Sequence, residues 1–322
     1  MSRRAWIAFA SVSVLWGIPY LFIKVAVDDG MPPAFLAWVR VLLAAVVLLA
    51  LAWRAGVLGS ARGKMRWIAA YAVLEISIPF PLIAAGEQDV SSSLAAILIA
   101  TVPLMIALLA MRFEPSERVR GRRMVGLLIG FSGVVALVGI DVAGRTSELV
   151  GAALILVAAA GYSAGPMILN RQVRDVDPRA IIGPALGIAA LVLTPFALLD
   201  LPSATPSGEA IAAVVVLGLL CTALAFVMHI SLLMEVGPGR AAVITYVAPV
   251  VAVGLGVAVL GERPGAGAVA GLLLILAGSW LSTDGRLPPG FGAVVTRFGR
   301  RGRGPGRPSS PAVESTRFPA SS

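Results

Sequence analysis

Long apolar runs separated by short polar connections form the main pattern along the chain. A helix needs about 20 mostly apolar residues to cross the hydrocarbon core of a bilayer, and such runs recur through residue 284. Strands of a membrane barrel would instead alternate apolar and polar positions over about 10 residues. The pattern therefore predicts ten transmembrane helices, near residues 5–27, 34–53, 67–86, 91–111, 123–140, 149–170, 179–199, 209–234, 239–260 and 265–283.

The second half of this pattern repeats the first. Residues 94–136 reappear as residues 240–281. Each half has an odd number of predicted spans, so the second half would insert with the opposite orientation, as in many secondary transporters. The matched positions are Pro103 and Pro249, Glu117-Arg118 and Glu262-Arg263, Gly126 and Gly271, and Gly133 and Gly278.

The fold class that follows is an all-α integral membrane protein of two inverted five-helix repeats. We assign residues 1–144 to the first repeat and residues 145–284 to the second. The matched glycines recur at spacings that let helix backbones approach closely, so we interpret them as packing positions. We interpret Pro103 and Pro249 as helix-break or packing residues of the same kind.

Composition and charge agree with this fold class. Hydrophobic residues make up 58% of the chain and charged residues only 13%, which is typical of a membrane protein. Most of the 26 Lys and Arg residues fall in alternate connections and at the two ends of the chain, so the positive-inside rule predicts that both termini are cytoplasmic. The outer loops are short and acidic, and we place Glu87 and Asp89 in one of them.

Residues 285–322 are rich in Gly, Pro, Ser and Arg. Such a segment cannot bury a core, so we predict a disordered basic cytoplasmic tail. It could be attracted to the anionic inner leaflet, or it could serve as a solvated topology anchor. The net charge of +9 is explained by this topology, and we expect the partners to be a lipid bilayer and a small-molecule substrate, with no nucleic acid.

Several motifs resemble those of EamA-type members of the drug/metabolite transporter superfamily. They are Leu15-Trp16-Gly17, Lys24, Pro32-Pro33 and Arg40 in the first half, and Ala248-Pro249-Val250, Leu260-Gly261-Glu262-Arg263-Pro264, Gly271 and Ala277-Gly278 in the second. The first half has Glu114-Pro115-Ser116-Glu117-Arg118 in place of the Gly-Glu-Arg motif, so its turn is altered. The resemblance covers residues 5–284 and implies a ten-helix carrier of small organic solutes, often exporting them across the inner membrane. It does not specify the solute.

Glu75 is the clearest candidate for function. It lies near the middle of the third predicted span, and the repeat places Cys221 at the corresponding position, so the carboxyl group occurs in one half only. Burial disfavours the charged form of a carboxyl group, so Glu75 could exchange a proton for substrate, pair with a substrate amine, or hydrogen-bond to a neighbouring helix. Pro79 and Pro81 predict a bent or broken helix beside it, which could line a site or could be a packing kink.

The remaining candidates are basic or aromatic. Lys24 and Arg40 are expected near the outer face, where they could form an anion-attracting mouth or snorkel to the headgroups; Lys24 could also pair with Asp28 or Glu87. His229 could relay protons or hydrogen-bond within the bundle. The aromatic residues could line a central cavity, or could be core residues and interfacial anchors; they are Trp16, Tyr20, Tyr71, Phe80, Tyr162, Phe226 and Tyr246.

The function predicted from these features is secondary transport of a small metabolite or drug-like solute across the bacterial inner membrane, by efflux in exchange for protons. A solute exchanger or uniporter, a lipid-precursor flippase and a non-transporting membrane receptor are the alternatives. The sequence has neither a phosphate-binding P-loop nor a Cys/His cluster for zinc, so we expect no enzyme activity, metal or cofactor. It does not distinguish a monomer from a homodimer.

Overall fold

Every regular element in the described part of the chain is helical. The computed structural model describes residues 2–113, 121–142, 144–173, 175–236, 241 and 243–282. Within these residues, 8 helices are long and apolar enough to cross a membrane, and two shorter apolar helices follow them. The helices are α1 (Arg3–Asp28), α2 (Pro33–Arg54), α3 (Met65–Asp89), α4 (Ser92–Leu109), α5 (Arg122–Val142), α6 (Thr146–Gln172), α7 (Pro178–Leu199), α8 (Gly208–Val236), α9 (Ile244–Leu260) and α10 (Ala266–Ser282).

Each apolar run of the sequence therefore coincides with a helix. The last two helices have 17 described residues each, slightly short of a full span. The predicted tail of residues 285–322 and the Glu117-Arg118 motif lie outside the described residues.

Short polar residues and one glycine set several helix ends. The side chains of Ser2, Ser91 and Ser207 accept hydrogen bonds from backbone N–H groups in the first turns of α1, α4 and α8. Serine suits these positions because its hydroxyl satisfies a donor that the helix leaves free. At the other end of α9, Gly261 has φ +66°, a left-handed conformation that ends the helix.

Three helices contain π-helical segments, where one extra residue enters a turn. They are Val73–Ser77 in α3, Val138–Val142 in α5 and Leu219–Leu224 in α8. In α3 the Ser77 hydroxyl donates to the carbonyl oxygen of Ala72 at 3.2 Å. In α8 the Thr222 hydroxyl donates to that of Leu217 at 2.7 Å. Such segments interrupt the regular helix and often occur at functional sites.

Glycines bring α5 and α10 into backbone contact. Gly126 and Gly133 of α5 face Gly278 and Gly271 of α10. A Cβ atom on Gly133 would lie 2.9 Å from the carbonyl oxygen of Gly271, and one on Gly271 would lie 3.0 Å from that of Gly133. Larger residues at these positions would separate the two helices.

Several further helix contacts occur in matched pairs. Helix α2 packs along α7, and α4 packs along α9. Helix α3 contacts α6 and α7, while α8 contacts α1 and α2. Helix α6 also contacts α4, and α1 also contacts α9. Replacing each helix by the one five places away relates these contacts to one another, whereas the contacts of α1 with α3 and of α4 with α10 have no match of similar extent among the described helices.

Large apolar side chains cover the outside of the bundle. Trp53, Leu191 and Leu199 are 72%, 75% and 87% exposed, and many other exposed side chains are aliphatic. Lipid tails are as apolar as these residues, so such a surface is stable in a bilayer and would be costly in water. The chain is a multi-pass membrane protein.

Polar contacts join the connections at the two ends of the bundle. At one end, Lys64 forms an ion pair of 3.4 Å with Asp175, and Ser2 donates a hydrogen bond to Glu235. At the other end, the backbone N–H of Ser207 donates to Asp29 Oδ2 at 2.9 Å. These contacts lie at the bundle ends, where water can solvate the side chains that make them.

Candidate functional site

A buried guanidinium lies where α2, α3 and α8 meet. Arg40 is only 7% exposed, and its Cζ lies 4.1 Å from the centroid of the Phe80 ring. Its Nε donates a hydrogen bond of 2.9 Å to the hydroxyl oxygen of Thr222. Thr222 donates its own proton to Leu217, within the π-helical part of α8. The irregular turn therefore positions the hydroxyl that orients the arginine.

The burial of Arg40 was not expected from the sequence. Because Arg40 lies in the first half of its helix, it was expected at an anion-attracting outer mouth or at the lipid headgroups. The snorkelling alternative does not hold, because the guanidinium turns inward between Phe80 and Thr222. A charged group in this position is costly unless it is paired or used.

Glu75 lies on the π-helical segment of α3, one turn before Pro79. Its Oε2 atom is buried and has no hydrogen-bond partner among the described residues. The carboxyl group packs against Gly165 of α6, where an added Cβ atom would lie 3.2 Å from the Glu75 Cβ and would collide with Oε2. A glycine at position 165 thus provides the space that the carboxyl group occupies.

Aromatic residues surround these two charged groups. Tyr162 of α6 is partly buried and packs against the apolar core that contains Tyr71 and Phe80. Its ring meets that of Phe80 edge to face, with centroids 6.5 Å apart. Tyr71 is 4% exposed, one helical turn before Glu75. The structure therefore brings together Glu75, Arg40, Tyr71, Phe80 and Tyr162, which we call the central cluster.

A second aromatic group joins α1 to α8. The ring of Trp16 lies 6.0 Å from that of Phe226 and 4.6 Å from that of His229, measured between centroids. The Nδ1 atom of His229 is buried, and no hydrogen bond joins it to any residue that the structure describes. This differs from the expected hydrogen bond within the bundle. The ring of His229 instead packs against that of Trp16, a contact that gives its Nδ1 atom no hydrogen bond.

Glu87 was expected in an outer loop but is a buried carboxyl group. It is 0% exposed, and neither Oε1 nor Oε2 has a hydrogen-bond partner within the described segments. Lys24 lies beside it and donates a hydrogen bond of 2.9 Å to the Glu87 carbonyl oxygen, while its Nζ forms an ion pair of 2.9 Å with Asp28. The assignment to a loop was wrong, because α3 continues to Asp89 and is covered there by α1.

Tyr20 of α1 is a further polar residue of this region. It is partly buried, and both Tyr20 and Tyr162 pack against the buried apolar group that contains Ile83 of α3. Glu87 lies one helical turn after Ile83 on the same helix. An ionisable residue inside the membrane is a candidate for function.

Other predicted residues lie away from the central cluster. The hydroxyl of Tyr246 donates to the carbonyl oxygen of Ser279 at 3.3 Å, in a separate contact between α9 and α10. Pro103 and Pro249 are buried within α4 and α9. Pro79 is buried at the start of the straight part of α3, and Pro81 is partly buried. These residues therefore shape or pack helices and do not join the central cluster.

The Gly-Glu-Arg motif of the second half connects the end of α9 to the start of α4. After Gly261 ends α9, the Glu262 carboxylate accepts hydrogen bonds from the backbone N–H groups of Ser92, at 2.8 Å, and Ser93, at 3.0 Å. It also accepts one from the Ser93 hydroxyl. A carboxylate is favourable at this place because the N-terminus of a helix carries free donors and partial positive charge.

Asp141 caps α10 in a similar way. Its carboxylate accepts from the backbone N–H of Gly267 at 3.2 Å and from that of Ala268. Both caps border an open cavity of about 360 Å³, whose lining includes Asp89, Arg145 and Glu148. The Glu262 motif is visible in the sequence, but its contact with α4 was not predicted.

Comparison with known proteins adds a family to this geometry. The model of the EamA-like transporter family matches residues 4–139 and again residues 149–283. The "Uncharacterized inner membrane transporter YedA" of Escherichia coli is 31% identical over 260 residues, which cover 79% of this chain and 82% of that protein.

A second relative is the "Probable amino-acid metabolite efflux pump" of Salmonella typhimurium. It is 27% identical over 299 residues, which cover 88% of this chain and 96% of that protein. A protein of known crystal structure superposes with a TM-score of 0.62 at 21% identity, over 88% of this chain and 98% of its own. That structural likeness extends to the fold alone.

The family resemblance of the sequence motifs is therefore confirmed by a match over nearly all of the described helices. A multi-pass membrane protein with this match is a membrane transporter that acts on small molecules. The chain belongs to the EamA-like transporter family.

Proposed function

We propose that this transporter exports a small organic solute across the bacterial inner membrane in exchange for protons, and that Glu75 binds the coupling proton. The observation that carries the proposal is the buried Oε2 atom of Glu75, to which no group in the described part of the chain forms a hydrogen bond. A coupling carboxyl group has to exchange a proton for another partner, so permanent hydrogen bonds would oppose its function. Uniport or solute exchange is the alternative, and in either case Glu75 would carry no coupling proton.

We further propose that ten helices form two inverted five-helix repeats, residues 1–144 and 145–284, that rock against each other. The matched pairs of helix contacts, such as α3 with α6 and α8 with α1, support this architecture. So do the π-helical segments of α3 and α8, in which Ser77 and Thr222 bond in the same way to a carbonyl oxygen five residues earlier. The central cluster combines helices from both proposed repeats, so their relative motion would change its exposure.

The proposed location is the bacterial inner membrane, with both termini in the cytoplasm. The charge distribution of the connections supports this orientation, and the name of the Escherichia coli relative supports the location. The name of the Salmonella relative supports export of a metabolite related to amino acids. The aromatic side chains of the central cluster suit an organic solute.

Transport in proteoliposomes tests the proposal. Purified protein would be assayed with a panel of amino acids and cationic dyes, both by counterflow and under an imposed pH gradient. Glu75→Gln keeps the shape of the side chain but cannot release a proton. We expect this variant to lose gradient-driven flux while it keeps counterflow.

Glu209→Gln is the matched control, because Glu209 is an exposed carboxylate in the first turn of α8. Its flux should equal that of the wild type. Equal gradient-driven flux in Glu75→Gln and the wild type would refute the role of Glu75. If no solute is transported, the flippase and receptor alternatives take precedence, and lipid scrambling and ligand binding would be assayed next.

A further inference from the structure

The terminal nitrogens of Arg40 have no partner in the described part of the protein. The guanidinium makes one hydrogen bond, from Nε to Thr222, and one contact with the Phe80 ring. Nη1 and Nη2 make no hydrogen bond, and no carboxylate forms an ion pair with them. A guanidinium has five N–H donors, so the four on its terminal nitrogens are available.

The residues around Arg40 fix the orientation of the two terminal nitrogens of its guanidinium. Phe80 supports the flat face of the guanidinium, and Thr222 fixes its Nε edge. Both side chains are themselves buried, with exposures of 7% and 1%. A fork that is oriented beforehand loses little side-chain entropy when it binds a ligand.

The chemical group that matches such a fork is a carboxylate. Two oxygens of one carboxylate accept two parallel hydrogen bonds from a guanidinium, which a halide or a hydroxyl cannot do. Among the described residues, no carboxylate forms an ion pair with Arg40. Glu87, which is also buried, lies beside Lys24 instead. The two terminal nitrogens of Arg40 therefore have no carboxylate partner within the described part of the protein.

We propose that Arg40, oriented by Phe80 and Thr222, binds the carboxylate of the transported solute. The carboxyl group of Glu75 in the central cluster has a buried oxygen without a hydrogen-bond partner among the described residues, and this oxygen suits a substrate amine. The solute class is therefore an organic carboxylate that also carries a basic nitrogen. This inference rests on the proposed transport function and defines its substrate.

A matched set of four probes separates the two groups of the solute. L-leucine carries both an amine and a carboxylate, L-leucinamide lacks the carboxylate, 4-methylpentanoate lacks the amine, and isoamylamine has the amine alone. Binding to purified protein in neutral detergent would be measured by isothermal titration. The wild type should bind the two carboxylates more tightly than their partners without one.

Arg40→Gln should weaken binding of the two carboxylates at least about 30-fold, since losing one partner of a buried charge pair is costly. It should change binding of the amide and the amine by less than about 3-fold. Arg40→Lys should recover part of the loss, because it keeps the charge but not the fork. Thr222→Val should weaken carboxylate binding about 3- to 10-fold by loosening the orientation of Arg40.

A purely structural Arg40 would affect all four probes alike, and that result would overturn the proposal. So would the absence of carboxylate-dependent binding in the folded wild type at millimolar concentrations. If Arg40→Gln does not fold, Thr222→Val provides the same comparison. Competition by phosphatidylglycerol but not by 4-methylpentanoate would also overturn it, and would assign Arg40 to a lipid headgroup.

The outcomes separate this inference from the proposed function. Proton-driven flux of a cationic dye, without any carboxylate preference, would leave the transport proposal standing and remove the carboxylate site. Carboxylate binding that depends on Arg40, without proton-coupled flux, would retain the site and refute the coupling mechanism.

Discussion

The cap that Glu262 places on α4 allows a quantitative prediction of stability. The carboxylate accepts hydrogen bonds from two backbone N–H groups, of Ser92 and Ser93, and from the Ser93 hydroxyl. Hydrogen bonds to charged groups contribute about 1.5–3 kcal/mol each, and losing an N-terminal cap costs about 0.5–2 kcal/mol. Glu262→Gln keeps one acceptor oxygen and turns an amide donor toward the helix. We therefore expect a loss of about 2–4 kcal/mol in the free energy of unfolding.

The single cysteine makes the assay direct. Cys221 is buried, so a thiol-reactive fluorophore reports unfolding without an introduced label. At about 2 °C per kcal/mol for a chain of this size, Glu262→Gln should lower the midpoint by roughly 4–8 °C. Ser93→Ala should lower it by less, because it removes only one hydrogen bond of the cap.

Glu209→Gln is the control for the general effect of charge at a helix N-terminus, because Glu209 is exposed in the first turn of α8. A surface charge in such a position contributes only about 0.3–1 kcal/mol. Equal midpoints for Glu262→Gln and Glu209→Gln would refute the reasoning. The result would mean that the contact between α9 and α4 does not contribute to folding.

Three further predictions concern other positions. In Gly165→Ala the added methyl group should collide with the Glu75 carboxyl group and reduce transport at least about tenfold. Gly254→Ala is the control and should leave transport unchanged, because its Cβ would meet nothing within 4 Å. Equal flux in the two variants would contradict this packing. Glu87→Gln should keep the thermal midpoint within a few degrees of the wild type, because neither carboxyl oxygen has a hydrogen bond to a described residue that it could lose. A large fall in the midpoint would mean that the charge of Glu87 stabilises the fold. Asp177 lies outside the spans, and hydrogen bonds from its arginine partner two residues later lower its pKa. The Asp177 carboxylate therefore contributes its full stabilisation at a pH above the ordinary carboxyl pKa, and the stabilisation is lost as the pH falls through the lowered pKa. Below about pH 4, the thermal midpoint of Asp177→Asn should depend less on pH than that of the wild type. Parallel plots of midpoint against pH for the two proteins would refute this linkage.

The helices could be predicted because the length of an apolar run is enough to identify a membrane span. The same holds for the glycines of α5 and α10, whose spacing indicates a face for close packing before any partner is known. Glu75 was recognisable as a charged residue in the middle of an apolar run, and Pro79 indicated an irregular helix beside it. These signals need no knowledge of which helices are neighbours.

The positions of Arg40 and Glu87 could not be predicted in this way. Both lie near helix ends, where hydropathy cannot distinguish a headgroup contact from burial. Arg40 is buried because α8 presents Thr222 and α3 presents Phe80, and neither contact is visible from α2 alone. Glu87 is buried because the neighbouring helices, including α1 at Lys24, cover the end of α3. The role of Glu262 likewise depends on a helix far away in sequence.

The most direct test of proton coupling follows the internal pH of proteoliposomes with a trapped dye while a transported solute is added outside. An antiporter exchanges entering solute for leaving protons, so the lumen of wild-type vesicles should become alkaline. Glu75→Gln should abolish this change while it retains counterflow of the same solute. Uptake by the wild type without a pH change, or an equal pH change in the variant, would contradict the assignment of Glu75 as the coupling group.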